Sequence, residues 1–215
     1  MEDNSMKDQH PPISVIGAGH GGLAMAGHLA IMGYKVRLFN RGDERLWGVK
    51  ATGGVEVQGE ITGFGKIDVV TNNMEEAIKG AELLMVVVPA LAHCWVAEQM
   101  APYLQDGQIV VLHPGRTLGA LEFKQVLVHN EVKADVIVSE AQTFIYASRV
   151  IGPGQAHIFG IKSSIPVASV RAHLIPVVIQ KLRELYPQFV PGDNIFKTSF
   201  DNIGSIFHPA LCILN

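Results

Sequence analysis

Cysteine is scarce in this sequence: Cys94 and Cys212 are the only two among 215 residues. Because they stand far apart, they indicate no disulfide framework, and we expect a reducing, cytoplasmic compartment. The first stretch, "MEDNSMKDQHPP", has no apolar core and is typical of a disordered tail over residues 1–12, not of a signal peptide. The longest uncharged run, "LLMVVVPALAHCWVA", contains a proline and is shorter than the helix of about 20 residues that spans a bilayer, so no membrane partner is expected.

Strong charge is absent as well. The net charge of −3 gives no electrostatic reason to expect a nucleic-acid partner or an anionic membrane surface. The nine histidines show no H-x-x-x-H spacing and the cysteines show no C-x-x-C spacing, so no metal site is predicted. The sequence also contains no G-x-S-x-G elbow, no P-loop lysine and no recognisable pair of carboxylates.

What the sequence does contain is an alternation of strand and helix patterns. The β-branched runs "ISVIG", "YKVRLFN" and "ELLMVVVPA" alternate with stretches that have apolar residues at helical spacing. This alternation predicts an α/β fold with a doubly wound, mostly parallel Rossmann-type sheet over residues 13–195. The 48% hydrophobic content is enough for one sizeable core.

Three segments break this alternation. The segment "TFIYASRVIGPGQAHIFGIKSSIPVASV" predicts a few antiparallel strands at one side of the sheet, with a turn at Gly-Pro-Gly. The segment "GGVEVQGEITGFGKIDVVT" predicts one or two short strands. The segment "QFVPGDN" predicts an exit loop before the last stretch of the chain.

A glycine loop lies between the first predicted strand and the first predicted helix. In "VIGAGHGGLAMAGHLA", Gly17 would allow the tight turn, Gly19 would let the backbone approach a pyrophosphate, and Gly22 would let the helix pack close to the sheet. This context predicts a dinucleotide-binding domain, although a glycine-rich turn without a ligand is the alternative. The predicted cofactor-binding residues of the loop are Gly17, Ala18, Gly19, His20, Gly21 and Gly22.

The end of the second predicted strand bears on the choice of cofactor. NAD sites usually place an acidic residue there, whereas this chain has Asn40 followed by Arg41. Asparagine does not repel a 2′-phosphate and arginine offers it a planar fork of donors, which favours NADP over NAD. In the alternative interpretation, Arg41 is a solvated loop cation and Asp43 or Glu44 contacts the ribose of NAD.

Other candidate residues follow later strands, at the edge where open α/β sheets bind ligands. Pro89 and Ala90 are predicted to form a loop against the cofactor, or else Pro89 simply ends its strand. Arg116 follows a Pro-Gly turn, where it would bind a substrate carboxylate. The alternative is a solvated arginine beside a helix that Thr117 caps.

The last stretch, "SFDNIGSIFHPALCILN", shows an apolar helical stripe and a second, polar stripe that includes His208. Pro209 removes an N–H and disfavours helical angles at His208. An irregular backbone there suits a general acid/base with a pKa near neutrality, although a solvent-exposed histidine is the alternative. The unpaired apolar stripe predicts a homodimer or aggregation unless it packs back on the sheet.

Five segments together resemble the opine dehydrogenase family, the octopine-dehydrogenase-like enzymes. They follow the family's order and are "VIGAGHGGLAMAGHLA", "VVVPALAHCWVAEQMAPYL", "GQIVVLHPGRTLGALEFKQVL", "SEAQTFIYASR" and "TSFDNIGSIFHPALCILN". The resemblance implies that NAD(P)H reduces the imine formed between an α-keto acid, such as pyruvate, and the amino group of an amino acid. It further implies that His208 is the catalytic acid/base, that Asn202 positions substrate and that Thr143 faces the keto acid.

The resemblance also sets an expectation about the extent of the chain. In the family, the histidine works with an aspartate of an all-α substrate domain, so we expect residues 196–215 to be the first helix of a truncated second domain. The chain alone is then expected to bind NAD(P)(H) and to turn over poorly. Two alternatives stay open: a ketopantoate-reductase-like or glycerol-3-phosphate-dehydrogenase-like enzyme with a lysine in its second domain, and a nucleotide-sensing module without chemistry.

Overall fold

The computed structural model describes residues 10–201 and Ile213. The strands are β1 (Ile13–Ile16), β2 (Val36–Phe39), β3 (Gly54–Gly59), β4 (Gly63–Lys66), β5 (Val69–Thr71), β6 (Leu83–Val86), β7 (Ile109–Leu112), β8 (Ile137–Ala141), β9 (Tyr146–Gly152), β10 (Gln155–Ile161), β11 (Ile165–Ser169) and β12 (Phe189–Pro191). The helices are α1 (His20–Ile31), α2 (Trp47–Thr52), α3 (Met74–Ile78), α4 (His93–Met100), α5 (Gly119–His129), α6 (Ile175–Leu185) and α7 (Ile195–Phe200).

The larger sheet has the strand order β12-β11-β8-β7-β6-β1-β2-β5 and confirms the predicted fold class. From β8 to β5 all neighbouring strands are parallel, with Ile13 of β1 opposite Leu83 of β6 and Val36 of β2. Every residue of β1, β6 and β7 is buried, as expected for strands that are covered on both faces. The carboxyl ends of these strands therefore lie along one edge, where a ligand can bind.

The antiparallel strands of the larger sheet lie at one side, as predicted. β11 runs antiparallel to β8, and β12 pairs with β11 in parallel. The expectation of an exit loop at "QFVPGDN" was wrong, because this segment contains β12. Phe189 is fully buried and anchors this edge strand. Pro191 ends the strand and has no N–H to donate, which is tolerated on an edge strand.

A second sheet packs over α1, with the strand order β4-β3-β10-β9. The predicted Gly-Pro-Gly turn joins β9 to β10. Residues 54–71 form three strands, where one or two were expected, and only β5 joins the larger sheet. Gly27 makes the close packing possible, because a Cβ at this position would lie 2.5 Å from Cγ2 of Val57. Among the described residues, no helix is long and apolar enough to cross a membrane.

Candidate functional site

The glycine loop between β1 and α1 is sterically closed to larger residues. Gly17 has a φ of 114°, and a Cβ there would lie 2.4 Å from the carbonyl oxygen of Val87. A Cβ on Gly22 would lie 1.6 Å from the carbonyl oxygen of Gly17. Gly22 thus packs against the turn itself, whereas the sequence prediction assigned it to the contact between helix and sheet. No side chain caps the start of α1 in the described structure, so its first-turn N–H groups are available to phosphates.

Asn40 braces this loop from the end of β2. The N–H of Ala18 donates to Oδ1 of Asn40 at 3.2 Å, and Nδ2 of Asn40 donates to the carbonyl oxygen of Gly42 at 2.8 Å. Both ends of the side-chain amide therefore bind backbone groups. The structure thus gives Asn40 a role in holding the loop.

A cavity of about 660 Å³ opens at the carboxyl ends of β1, β2 and β6. The guanidinium of Arg41 lies 5.6 Å from the ring centroid of Trp95, and Trp95 stacks on Phe39 with a centroid distance of 6.5 Å. Pro89 lines the same cavity, whereas Ala90 begins a short 3-10 turn beside it. The cavity therefore combines an aromatic wall with a cation, which suits the base and sugar of a nucleotide.

Arg45 is a residue of this cavity that the sequence analysis missed. A Cβ on Gly19 would lie 3.2 Å from Nη1 of Arg45, so this guanidinium lies directly beside the loop. Arg45 also borders a second cavity of about 320 Å³, which His20 and Trp47 line. The sequence around it, "RGDERLWG", does not indicate that Arg45 lines a cavity, because an isolated cation in a charged stretch is usually solvated.

His20 and Gly21 occupy the first turn of α1. Nδ1 of His20 accepts a hydrogen bond from the N–H of Val150 at 2.8 Å, which directs the imidazole toward the second sheet. A Cβ on Gly21 would lie 2.7 Å from the ring of Phe144, so this aromatic residue covers the turn. Gly21 thus leaves room for Phe144, and the backbone of this turn is what remains available to a cofactor.

Arg116 lies in the loop between β7 and α5. Its φ is 61°, and the N–H of Gly115 beside it donates to the carbonyl oxygen of Ala141 at 3.1 Å. Thr117 does not cap α5, as the alternative interpretation of Arg116 supposed, because Leu118 holds the N-cap position with φ 58° and its own side chain forms no cap hydrogen bond. Arg116 is exposed at the carboxyl edge of the sheet, which agrees with both the predicted substrate contact and its alternative, a solvated arginine.

Thr143 lies in the connection between β8 and β9, two residues after Ala141, the residue that accepts the hydrogen bond of Gly115. The ammonium of Lys162 donates a hydrogen bond to Oγ1 of Thr143. Burial, together with the nearby positive charge of Arg116, lowers the pKa of Lys162. Lys162 was missed by the sequence analysis, because nothing local in "GIKSSIP" indicates that it returns to the end of β8.

Glu140 is a fully buried carboxylate near the end of β8. The hydroxyls of Thr198 and Ser199 donate to its Oε1 at 2.7 and 2.8 Å, and the N–H of Ala120 donates to its Oε2 at 3.0 Å. Burial raises the pKa of Glu140, whereas these three hydrogen bonds favour the ionised form. Because Thr198 and Ser199 belong to α7, Glu140 fastens α7 to the larger sheet.

Removing one of these donors is expected to destabilise the chain. In Thr198→Val a methyl group replaces the hydroxyl at nearly constant volume, and Glu140 stays buried with one donor fewer. The free energy of unfolding should fall by about 1–3 kcal/mol, as measured by chemical denaturation. The matched control is Thr117→Val, an exposed site that should change it by less than about 0.5 kcal/mol. Equal effects of the two substitutions would show that the Glu140 contact contributes nothing.

Asn202 and His208, predicted to bind substrate and to catalyse, lie outside the described residues. The described chain approaches them at Asp201, whose carbonyl oxygen accepts a hydrogen bond from Nε2 of Gln142. Within residues 10–201 and Ile213, no group of three or more potential metal ligands is present.

Comparison with known proteins adds to this geometry. Over residues 12–145 the chain matches the family described as the N-terminus of NAD-dependent glycerol-3-phosphate dehydrogenase. The chain belongs to this family. Its members provide a nicotinamide-nucleotide-binding domain, and the residues described above fit one. The loop has room only for glycine at positions 17 and 22, α1 starts without a side-chain cap, and the adjacent cavity has an aromatic wall.

Within this family the chain is opine-dehydrogenase-like. It is 30% identical over 203 residues to the opine dehydrogenase of Arthrobacter sp. (strain 1C), covering 94% of this chain and 56% of that protein. It is 27% identical over 216 residues to the octopine dehydrogenase of Mizuhopecten yessoensis, covering 93% and 53%. A solved octopine dehydrogenase structure with NADH and pyruvate superposes with a TM-score of 0.80 at 25% identity, covering 93% and 54%. The chain thus spans about half the length of these relatives.

Proposed function

We propose that the chain is the cofactor-binding part of an NAD(P)H-dependent opine-type dehydrogenase, an oxidoreductase that acts on CH–NH bonds. The observation that carries this proposal is the placement of Arg116 and Thr143 at the carboxyl edge of the sheet, with Phe144 covering the glycine loop. A hydroxyl and a cation next to the cofactor loop are suited to holding the carboxylate of a small keto acid. The identity to an opine dehydrogenase supports the same reaction.

In the proposed reaction, the amino group of an amino acid condenses with the α-keto acid, and water leaves as the imine forms. When bound, the nicotinamide cofactor supplies the hydride that reduces the protonated imine at the keto-acid C2, giving a secondary-amine dicarboxylate. Arg116 and Thr143 would hold the keto acid, and Asn202 would position substrate. His208 would donate and accept the protons of the condensation, as a general acid/base with a pKa near neutrality.

We propose NADP as the preferred cofactor, with NAD as the alternative. Arg41 lies over Trp95 at the rim of the large cavity, and Arg45 lines the same cavity. Two guanidinium groups in one cavity support this proposal, because each offers hydrogen-bond donors to a 2′-phosphate. The carboxylate of Glu44, which lines the cavity too, is the group that would favour NAD by accepting hydrogen bonds from the ribose hydroxyls.

Substitution of Arg41 by alanine should separate the two cofactors. Loss of a charge-assisted hydrogen bond of about 1.5–3 kcal/mol should weaken NADPH binding by about 10- to 100-fold. NADH has no 2′-phosphate, and its affinity should fall by less than about threefold. The measurement is titration of both cofactors, with Arg183→Ala on α6 as an exposed-arginine control that should change neither. An equal loss for both cofactors would argue against NADP specificity.

Two other functions stay as alternatives. The family match at residues 12–145 favours a glycerol-3-phosphate-dehydrogenase-like reductase over the ketopantoate-reductase-like enzyme, and either would reduce a ketone without an amine. A non-catalytic NAD(P)-binding module would bind cofactor and oxidise none with any substrate. NADPH oxidation that requires both pyruvate and an amino acid is expected of the opine-type enzyme and of neither alternative.

We further propose that residues 196–215 begin a substrate domain, since the matched relatives are about twice as long as the aligned part. Helix α7 (Ile195–Phe200) overlaps the beginning of this segment and is fastened to the sheet through Glu140. The chain alone would then bind NAD(P)(H) with poor turnover. A homodimer and a cytoplasmic location remain predictions from the sequence.

A further inference from the structure

Two cations, Arg116 and Lys162, belong to the loop after β7 and to a segment hydrogen-bonded to the connection after β8. Within residues 10–201, the ion pairs of the structure involve other side chains, and neither Arg116 nor Lys162 belongs to one. The ammonium of Lys162 donates to Oγ1 of Thr143, and the backbone N–H of Lys162 donates to the carbonyl oxygen of Ile145 at 2.9 Å. Lys162 is therefore fixed to the same connection that carries Thr143.

The position of these two cations is set by separate parts of the fold. Lys162 directly follows β10 of the second sheet, whereas Arg116 belongs to the loop after β7 of the larger sheet. The N–H of Gly115, next to Arg116, donates to the carbonyl oxygen of Ala141, two residues before Thr143, so the loop of Arg116 lies beside the end of β8. Burial, and after it the positive charge of Arg116, lowers the pKa of Lys162. Two positive charges on neighbouring loops disfavour each other's charged form, and a bound anion offsets this repulsion. The two neighbouring positive charges therefore suit the binding of an anion.

This site adjoins the cofactor loop. Phe144, the residue after Thr143, has its ring over the first turn of α1, where a Cβ on Gly21 would meet it at 2.7 Å. A dinucleotide whose pyrophosphate is bound at the glycine loop would extend its nicotinamide ring past this turn. An anion bound by Arg116 and Lys162 would therefore lie beside the nicotinamide. The carbon that accepts a hydride in the proposed reaction is C2 of the keto acid, and C2 is bonded directly to that acid's carboxylate. The carboxylate of the amino acid is two atoms farther from C2.

We propose that Lys162, with Arg116 and Thr143, binds the carboxylate of the α-keto acid and is a specificity-determining residue of this site. The inference rests on the proposed function and adds a residue that the sequence did not indicate. Lys162 holds the hydroxyl of Thr143 in place and adds a second positive charge, so the pair selects a small anion over a neutral carbonyl compound.

The test compares Lys162→Gln with the charge-conserving Lys162→Arg, in the protein that contains this chain. In Lys162→Gln the KM for pyruvate should rise by about 10- to 100-fold, because a charge-assisted contact is lost. The KM for the amine and the Kd for NADPH should stay within about threefold, and Lys162→Arg should recover most of the pyruvate affinity. Lys133→Gln, an exposed lysine before the amino end of β8, is the matched control and should change none of these.

A failure of the proposed function is distinguishable from a failure of this site. If no amine supports turnover, the Kd of pyruvate for the NADPH-saturated protein is measured instead, by quenching of the bound NADPH fluorescence. Weaker pyruvate binding in Lys162→Gln would still support the site. Unchanged pyruvate affinity in Lys162→Gln, a rise in the amine KM instead of the pyruvate KM, or no pyruvate binding by the unmodified protein would each overturn it.

Discussion

Replacing Gly22 by alanine should abolish dinucleotide binding, with a loss of at least about 100-fold in the affinity for NADH and NADPH. A Cβ at this position would lie 1.6 Å from the carbonyl oxygen of Gly17. No side-chain rotation can relieve this overlap, because the backbone fixes the position of a Cβ and the oxygen belongs to the backbone. The turn or the start of α1 must move, and the first-turn N–H groups would no longer point at the phosphates. Titration of cofactor fluorescence measures the loss.

Two further glycines serve as comparisons for this prediction. A Cβ on Gly160, in β10, meets no atom within 4 Å, so Gly160→Ala should leave cofactor affinity unchanged. At Gly19 the nearest atom is the flexible tip of Arg45 at 3.2 Å. Gly19→Ala should therefore keep the fold. It should still weaken cofactor binding, because the methyl group would occupy the space in which the pyrophosphate comes close to the backbone. Near-normal affinity in both Gly19→Ala and Gly22→Ala would contradict a phosphate site at this loop.

Replacing His208 by alanine should lower kcat by about 10²- to 10⁴-fold, the usual contribution of a general acid/base. The prediction rests on the sequence: His208 belongs to the polar stripe of the last predicted helix, and Pro209 makes the backbone irregular beside it. The Kd for NADPH should not change, because the cofactor residues lie on the glycine loop and around the large cavity. Steady-state kinetics of the protein that contains this chain, with pyruvate and an accepted amine, provide the measurement.

The control for this substitution is His173→Ala. His173 is exposed in the turn before α6, away from the cofactor loop, and its loss should leave kcat and both KM values unchanged. If His208→Ala also turned over at the unmodified rate, the opine-type mechanism would be wrong. A reductase that relies on a lysine in another domain would then be the better explanation.

The fold class of the larger sheet could be predicted because each of its central strands carries its own signal. β1, β6 and β7 are short, apolar and β-branched, and glycine, proline or helical periodicity separates them. The glycine loop was recognisable for the same reason, since Gly17 and Gly22 lie within one strand–turn–helix unit. Local patterns of this kind can be recognised without knowing which distant residues they contact.

The parts that the sequence did not indicate depend on long-range contacts. β3 pairs with β10, and neither segment reveals the other. Arg45 and Lys162 look like solvated cations in the sequence, and only the fold places Arg45 beside Gly19 and Lys162 against Thr143. Glu140 was visible as a charge at the end of an apolar strand, but its role follows from the hydroxyls of α7, which come more than fifty residues later.

The most direct test of the central claim is a substrate screen with the protein that contains this chain. Oxidation of NADH and NADPH is followed side by side with pyruvate, first alone and then with each member of a panel of amino acids. The proposed function predicts that cofactor oxidation requires both pyruvate and an amine, that NADPH is the better donor, and that a secondary-amine dicarboxylate forms. Oxidation with a keto substrate that is independent of any amine, or no oxidation with any pair, would contradict it.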